Sequence, residues 1–356
     1  MIVPTGVGCS IGGYAGDAIP SARLLAAASG CLITHPNVMN AAALYWNDIR
    51  IHYVEGYALD RFAAGEMLLK TVRQQKIGLL LDSAIEKDLY HRHLQVANAC
   101  KASLGLNIGP IVTTELPVEI SLIQGKSGSS WGGIGQPASL LRAGEKLKEL
   151  GATAIAVITR FPEASHDEMF EAYRLGRGVD ALAGAEAVIS HLLVKHLLLP
   201  CAHAPALSPL PLDLDLDPRA AAEDIGYTFL SSVLVGLSRA PDLIKLSANK
   251  TIDNIEFSSA NYIKSNDLGA VVVPEGALGG PAVLACLERG IPLIAVENPS
   301  ALNVSSELLG VKNLLNSTKI RNFLKVKNYL EAAGIVLSIR EGIDVSCLQR
   351  PIRRVL

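Results

Sequence analysis

Short apolar runs rich in β-branched residues alternate along the chain with longer stretches of helical periodicity. That is the pattern of a parallel sheet with crossover helices. The runs predict strands at residues 2–4, 31–34, 51–54, 77–82, 119–124, 154–159, 270–274, 292–297 and 335–339. Several are apolar throughout, as strands covered on both faces are. Helical patterns fall between them, for example at 59–74, 85–104, 137–150 and 319–333. The expected class is α/β, with mainly parallel sheets built from approximate internal βαβ repeats and arranged in two lobes.

One segment breaks the rhythm. Residues 200–218 read PCAHAPALSPLPLDLDLDP, with prolines at 200, 205, 209, 211 and 218. Proline at that density excludes a helix or a central strand. The segment reads as an ordered inter-lobe loop over residues 201–224, between an N-terminal lobe (1–200) and a C-terminal lobe (225–356).

Three segments share an order of features. They begin at Val3, Gly125 and Val273 and carry double glycines at Gly12-Gly13, Gly132-Gly133 and Gly279-Gly280. A proline follows each pair (Pro20, Pro137, Pro281), and a glycine closes each helical stretch (Gly30, Gly151, Gly290). Proline suits the first helical turn and glycine the residue after the last. A glycine-rich turn before a helix lets backbone N–H groups approach a ligand, where the helix N-terminus favours negative charge. The three loops are therefore expected to wall a site for a small anionic or carbonyl-bearing metabolite.

Composition narrows the choices. Hydrophobic residues make up 49% and charged residues 19% of the 356 positions, which suits a large core and not disorder. The formal net charge is -2 and no Lys/Arg stripe is interleaved with aromatics, so nucleic acid is not the expected partner. The mean hydropathy of +0.31 raises the question of a membrane span. The most apolar stretch, residues 181–199, contains Glu186, His191, Lys195 and His196, too polar for a lipid-facing helix, and reads as a buried or interface helix. The opening MIVPTGVGCS lacks the basic and apolar regions of a signal peptide, and its second residue is expected in a core strand. The six cysteines are dispersed without a CxxC pair, which fits a reducing cytoplasm. Few charges and many apolar residues are compatible with a homo-oligomer, with no interface indicated.

Candidate chemistry gathers in the loops. Lys126, Ser127, Ser129 and Ser130 lie together, and a lysine shielded near a helix start can serve as base to a serine. Ser10 is the counterpart of Ser130, and Ala277 stands there in the third segment. His35 ends an apolar run in Thr-His-Pro-Asn, at the edge of the sheet where ligands bind, and His203 is a general-base candidate from the Pro-rich segment. Asp82 and Glu275 end apolar runs, and Asn40 and Asn303 follow prolines at matching places as helix caps or ligand contacts. His91, His93, His191 and His196 lie on helical patterns without metal-ligand spacing and read as packed or solvated; no metal is expected. Asp213, Asp215 and Asp217 lack an EF-hand glycine turn. Both the dinucleotide fingerprint after Gly6-x-Gly8 and the P-loop around Gly125-Lys126-Ser127 are incomplete, so no cofactor is implied. Three functions are carried forward: an enzyme with a Ser/Lys pair, a non-catalytic small-molecule sensor, and an NAD(P)-dependent oxidoreductase.

The runs TGVGCSIGGYAGDAIPSARLL, THPNVMNAAALYW and EGALGGPAVLACLERGIPLIAVENPSALN resemble one family of unknown function found in cyanobacteria and as plastid-directed plant proteins. The resemblance covers nearly the whole chain. It implies a bacterial cytosolic or plastid-type setting and brings no activity or catalytic residues with it. The tripled α/β unit also has an architectural likeness to cyclic-amide ring-opening hydrolases, without their serine motifs.

Overall fold

The computed structural model describes residues 1–4, 18–39, 48–124, 130–163, 168–176, 180–209, 212–221, 228–246, 261–297, 304–310 and 323–352. The strands are β1 (Ile2–Val3), β2 (Leu32–Thr34), β3 (Ile51–Tyr53), β4 (Met67–Lys70), β5 (Ile77–Leu81), β6 (Ile108–Thr113), β7 (Ile120–Gln124), β8 (Ser130–Ile134), β9 (Ala154–Arg160), β10 (Cys201–Ala206), β11 (Asp242–Lys245), β12 (Tyr262–Ile263), β13 (Val271–Pro274), β14 (Leu293–Val296) and β15 (Phe323–Val326). The helices are α1 (Ile19–Ser29), α2 (Pro36–Met39), α3 (Gly56–Ala63), α4 (Lys87–Leu104), α5 (Pro137–Glu149), α6 (Glu168–Arg174), α7 (Ala183–Leu197), α8 (Pro218–Ala221), α9 (Leu230–Leu237), α10 (Pro281–Glu288) and α11 (Tyr329–Arg340).

The protein is α/β. A six-stranded parallel sheet has the order β15-β14-β13-β1-β2-β3, and a four-stranded parallel sheet the order β10-β9-β5-β6. The two ends of the chain meet in the larger sheet, where Ile2 of β1 stands opposite Val271 of β13. The middle of the chain, residues 77–206, supplies the smaller one. Successive side chains of a strand face opposite ways. Val3, Leu32, Val272 and Ile294 enter one core with α1, α9 and α11, while Ile2, Ile33, Val271 and Val273 enter a second with α3, α7 and α10. Both cores also take residues from the four-stranded sheet, so the two sheets share them. No helix among the described residues is long and apolar enough to cross a membrane.

The apolar stretch at 181–199 forms α7, packed against α3, α5, β8 and β10. The proline-and-glycine punctuation also holds. Pro20, Pro137 and Pro281 stand in the first turns of α1, α5 and α10, and Gly30, Gly151 and Gly290 follow with positive φ.

Several elements differ from expectation. Residues 59–74 are not one helix: α3 ends at Ala63, Gly65 takes φ +82, and the apolar Met67-Leu68-Leu69 is buried in β4 between β11 and β12. Short apolar runs do not distinguish helix from strand by periodicity alone. Residues 335–339 belong to α11 and not to a strand; Asn328 caps that helix, and Ala332, Ala333 and Val336 are its buried face. In the stretch expected as the helix 319–333, Phe323–Val326 is an edge strand. Cys201–Ala206, expected within a loop, is the edge strand β10, in register with β9. An edge is where a sheet tolerates the missing N–H of Pro205.

The second double glycine is the clearest correction. Gly132 and Gly133 lie in β8, paired antiparallel to β7, and not in a strand-to-helix turn. A Cβ on Gly132 would overlap the Ala185 Cα, and one on Gly184 would overlap the Ser130 carbonyl. These glycines let a hairpin lie directly on α7. A two-stranded hairpin has little stability alone, so this contact holds it in place.

Candidate functional site

The strands of the six-stranded sheet are parallel, so their carboxyl ends open on one edge. Pro4 follows β1, His35 follows β2, Glu55 and Gly56 follow β3, and Glu275 follows β13. A cavity of about 150 Å³ lies at this edge, lined by Pro4, His35, Gly56, Asp60, His191, Gly280 and neighbouring apolar residues. At about 30 Å³ per water, that is room for roughly five waters or a very small molecule.

Glu55 is the N-cap of α3, and its Oε2 accepts from the Tyr57 N–H (2.8 Å). The other oxygen, Oε1, lies 2.5 Å from His191 Nδ1, an ion-pair contact outside hydrogen-bond geometry, with Ser190 Oγ at 3.4 Å. The Glu55 side chain is 1% exposed and that of His191 38%, so the carboxylate stands behind the imidazole and the imidazole reaches the mouth of the cavity. Gly56 makes the arrangement fit. A Cβ there would sit 2.6 Å from His191 Cε1 and 3.1 Å from His35 Nε2, so both imidazoles close on the same Cα.

Their environments drive the two histidines apart. Burial, reinforced by His191, pulls His35 down to about 3, so it is neutral at physiological pH. Burial also opposes charge on His191, but Glu55 and Asp60 outweigh it and raise the imidazole above its ordinary value. Asp60, on the same face of α3, accepts from the Ala282 N–H at the start of α10 (3.0 Å). Burial pushes its carboxyl up to about 6, against the pull of His191 and that N–H. Shifted groups converging in a cleft make it a candidate functional site.

A second polar cluster lies earlier on α7. His203 Nε2 is 2.7 Å from Thr159 Oγ1, and its Nδ1 is 3.7 Å from Glu186. Burial pulls His203 down to about 3 and pushes Glu186 up to about 8; burial and the nearby Glu186 push Asp180 up to about 7.

The structure sorts the residues expected from sequence. His35 and Gly280 line the cavity, and Gly279 packs against Val304 beside it. Glu275 pairs with Lys325 at 2.8 Å. Asp82 is 1% exposed and accepts from the backbone N–H groups of Ala84, Val118 and Arg160, which ties three segments together and leaves it the role of a structural anchor. Ser130 is buried, and its Oγ accepts from the Gly184 N–H in the first turn of α7. It is about 10 Å along that helix from His191. His203 projects from a strand and not from an irregular loop. Ser10, Gly12, Gly13, Asn40, Lys126, Ser127, Ser129 and Asn303 lie outside the described residues.

Glu55, Asp60 and His191 were absent from the sequence-based candidates; His191, expected to be packed or solvated, lines the cavity and lies against Glu55. Glu55 carries the same signal as His35, a polar residue just after an apolar run. His191 carries none, because α7 reaches the site from the far side of the core.

The model of a family of proteins of unknown function, DUF3326, matches residues 1–349. An uncharacterised lipoprotein of a Synechococcus strain is 50% identical over 356 residues, covering 100% of this chain and 94% of the relative. These matches span the residues of both sheets and of the cavity, and the chain belongs to the DUF3326 family.

Proposed function

We propose that this protein is an enzyme that moves protons on a small metabolite held in the cavity between His35 and His191. The observation that carries the reading is the Glu55–His191 contact at 2.5 Å, behind a cavity that the imidazole enters. A base oriented by a buried carboxylate is the arrangement of general acid–base catalysis, where geometry comes first and pKa second. His191 is the base in this reading, Glu55 orients it, and neutral His35 and Asp60 are hydrogen-bonding and acid groups opposite. The Ser/Lys alternative has less support, because Ser130 Oγ is already engaged by Gly184. The five described cysteines are free thiols, which supports a reducing cytoplasmic setting. The Synechococcus relative bears the word lipoprotein in its name, so peripheral attachment to a membrane is the competing setting.

The test is to incubate the protein with a small-molecule extract of cyanobacterial cells and follow the mixture by mass spectrometry, in water and in deuterium oxide. The expected result is a substrate–product pair whose conversion slows about a hundredfold or more in His191→Asn and Glu55→Gln, the usual scale of a lost acid–base group. Conversion at the wild-type rate in both variants would overturn the reading. Binding of a metabolite with no conversion would replace the enzyme with a sensor.

A further inference from the structure

We infer that the cavity between His35 and His191 takes a small organic cation, a primary ammonium or guanidinium compound, rather than the anion expected from glycine-rich loops. The inference rests on the reading of this cavity as the ligand site and goes on to name the chemistry of its occupant.

Two observations carry it. First, a carboxylate of α3, Asp60, lines the cavity against the start of α10, and a second, Glu55, is buried behind His191. Among the described residues, no Lys or Arg lines the cavity. Second, two cations of the surrounding elements already have partners. Arg61 pairs with Glu66 at 2.9 Å and lies over the Tyr57 ring, and Lys325 pairs with Glu275 at 2.8 Å. The helix start that would hold an anion is also taken, since its Ala282 N–H donates to Asp60.

An anion entering this cavity would meet Asp60, with Glu55 behind His191. A cation meets the Asp60 carboxylate, and the apolar walls of Leu59, Val273 and Val283 shield the pairing from water, where it is stronger. Among the described residues, the titratable groups facing His191 are Glu55, Tyr57 and Asp60 from α3 and His35 from the end of β2; the part of α10 that lines the cavity, Pro281 to Val283, contributes none. A cation beside His191 takes over the role of its proton. Binding is therefore expected to release protons from the imidazole.

The experiment is calorimetric titration of the purified full chain at neutral pH with methylammonium, ethanolammonium and guanidinium chlorides, against sodium acetate and sodium phosphate at equal ionic strength. Repeating it in buffers of different ionisation enthalpy counts protons. The expected result is saturable binding of at least one cation, no saturable binding of the anions, net proton release, and at least about tenfold weaker binding in Asp60→Asn. Asparagine keeps an acceptor for the Ala282 N–H, and proton release by the wild-type protein is a second readout that needs no variant. Saturable binding of acetate or phosphate, failure of all three cations to bind, or cation binding unaffected by Asp60→Asn would each overturn the inference. His191-dependent conversion of a metabolite with no cation binding would overturn the inference and leave the enzyme reading. Cation binding without His191-dependent conversion would do the reverse.

Discussion

Replacing Gly56 by alanine separates two opposed effects. In the interior of a helix the change stabilises by about 1 kcal/mol, because alanine has the higher propensity, and at most that at the first position, where Gly56 stands. Here the new methyl would sit 2.6 Å from His191 Cε1, where carbon atoms normally rest at about 3.5–4.0 Å. About 1 Å of movement is needed. His35 is buried and gives little, while His191, 38% exposed on its side chain, can swing outward only by leaving Glu55. Overpacking of this kind costs about 1–3 kcal/mol. The net expectation is destabilisation of about 0–2 kcal/mol, with the His191 titration falling back toward its ordinary value. Urea denaturation measures the first and NMR titration of the imidazole the second. In a His191→Ala background the clash with that ring is gone, so the same glycine change is expected to be neutral or stabilising, with a coupling of about 1–2 kcal/mol. A Gly56→Ala protein about 1 kcal/mol more stable than wild type, with an unmoved His191, would refute the close packing of both imidazoles on that Cα.

Other outcomes follow from the same geometry. If His191 is a base it works deprotonated, so conversion is expected to rise with pH through its raised pKa; Glu55→Gln should move that limb to lower pH, seen in a rate–pH profile. Burial raises Glu186 to about 8 and Asp180 to about 7, so the folded state binds more protons than the unfolded one above pH ~4.5. Their contribution is present at low pH and lost as pH rises toward 8; Glu186→Gln should flatten that decline in denaturation measured from pH 5 to pH 9. Asp82→Ala strands three backbone N–H donors and should cost about 3 kcal/mol or more in urea, with no change in ligand affinity at temperatures where the variant is folded. Gly132→Ala puts a methyl into the α7 backbone and should release the β7–β8 hairpin, read as faster proteolysis there while the two parallel sheets stay protected from hydrogen exchange.

The sequence by itself determined the class of the fold and the core strands. Apolar runs such as Val271–Pro274 and Leu293–Val296 are covered on both faces, and only a parallel sheet between helices makes that their stable state. It also determined the helix punctuation, because proline in a first turn and glycine after a last one act locally. His35 was legible for a related reason: a polar side chain ending a buried strand must face the edge of the sheet. What local pattern cannot carry is which segments meet. The glycines at 132 and 133 look like those at 279 and 280, yet Gly132 lets a hairpin lie on α7 while the other pair precedes α10, and the difference is set by Ala185 and Val304, in other segments of the chain. The pairing of Glu55 with His191 spans 136 positions and two helices, and neither residue alone signals the other. Only the packing of α7 against α3 turned a histidine on a plain apolar helix into the partner of a buried carboxylate.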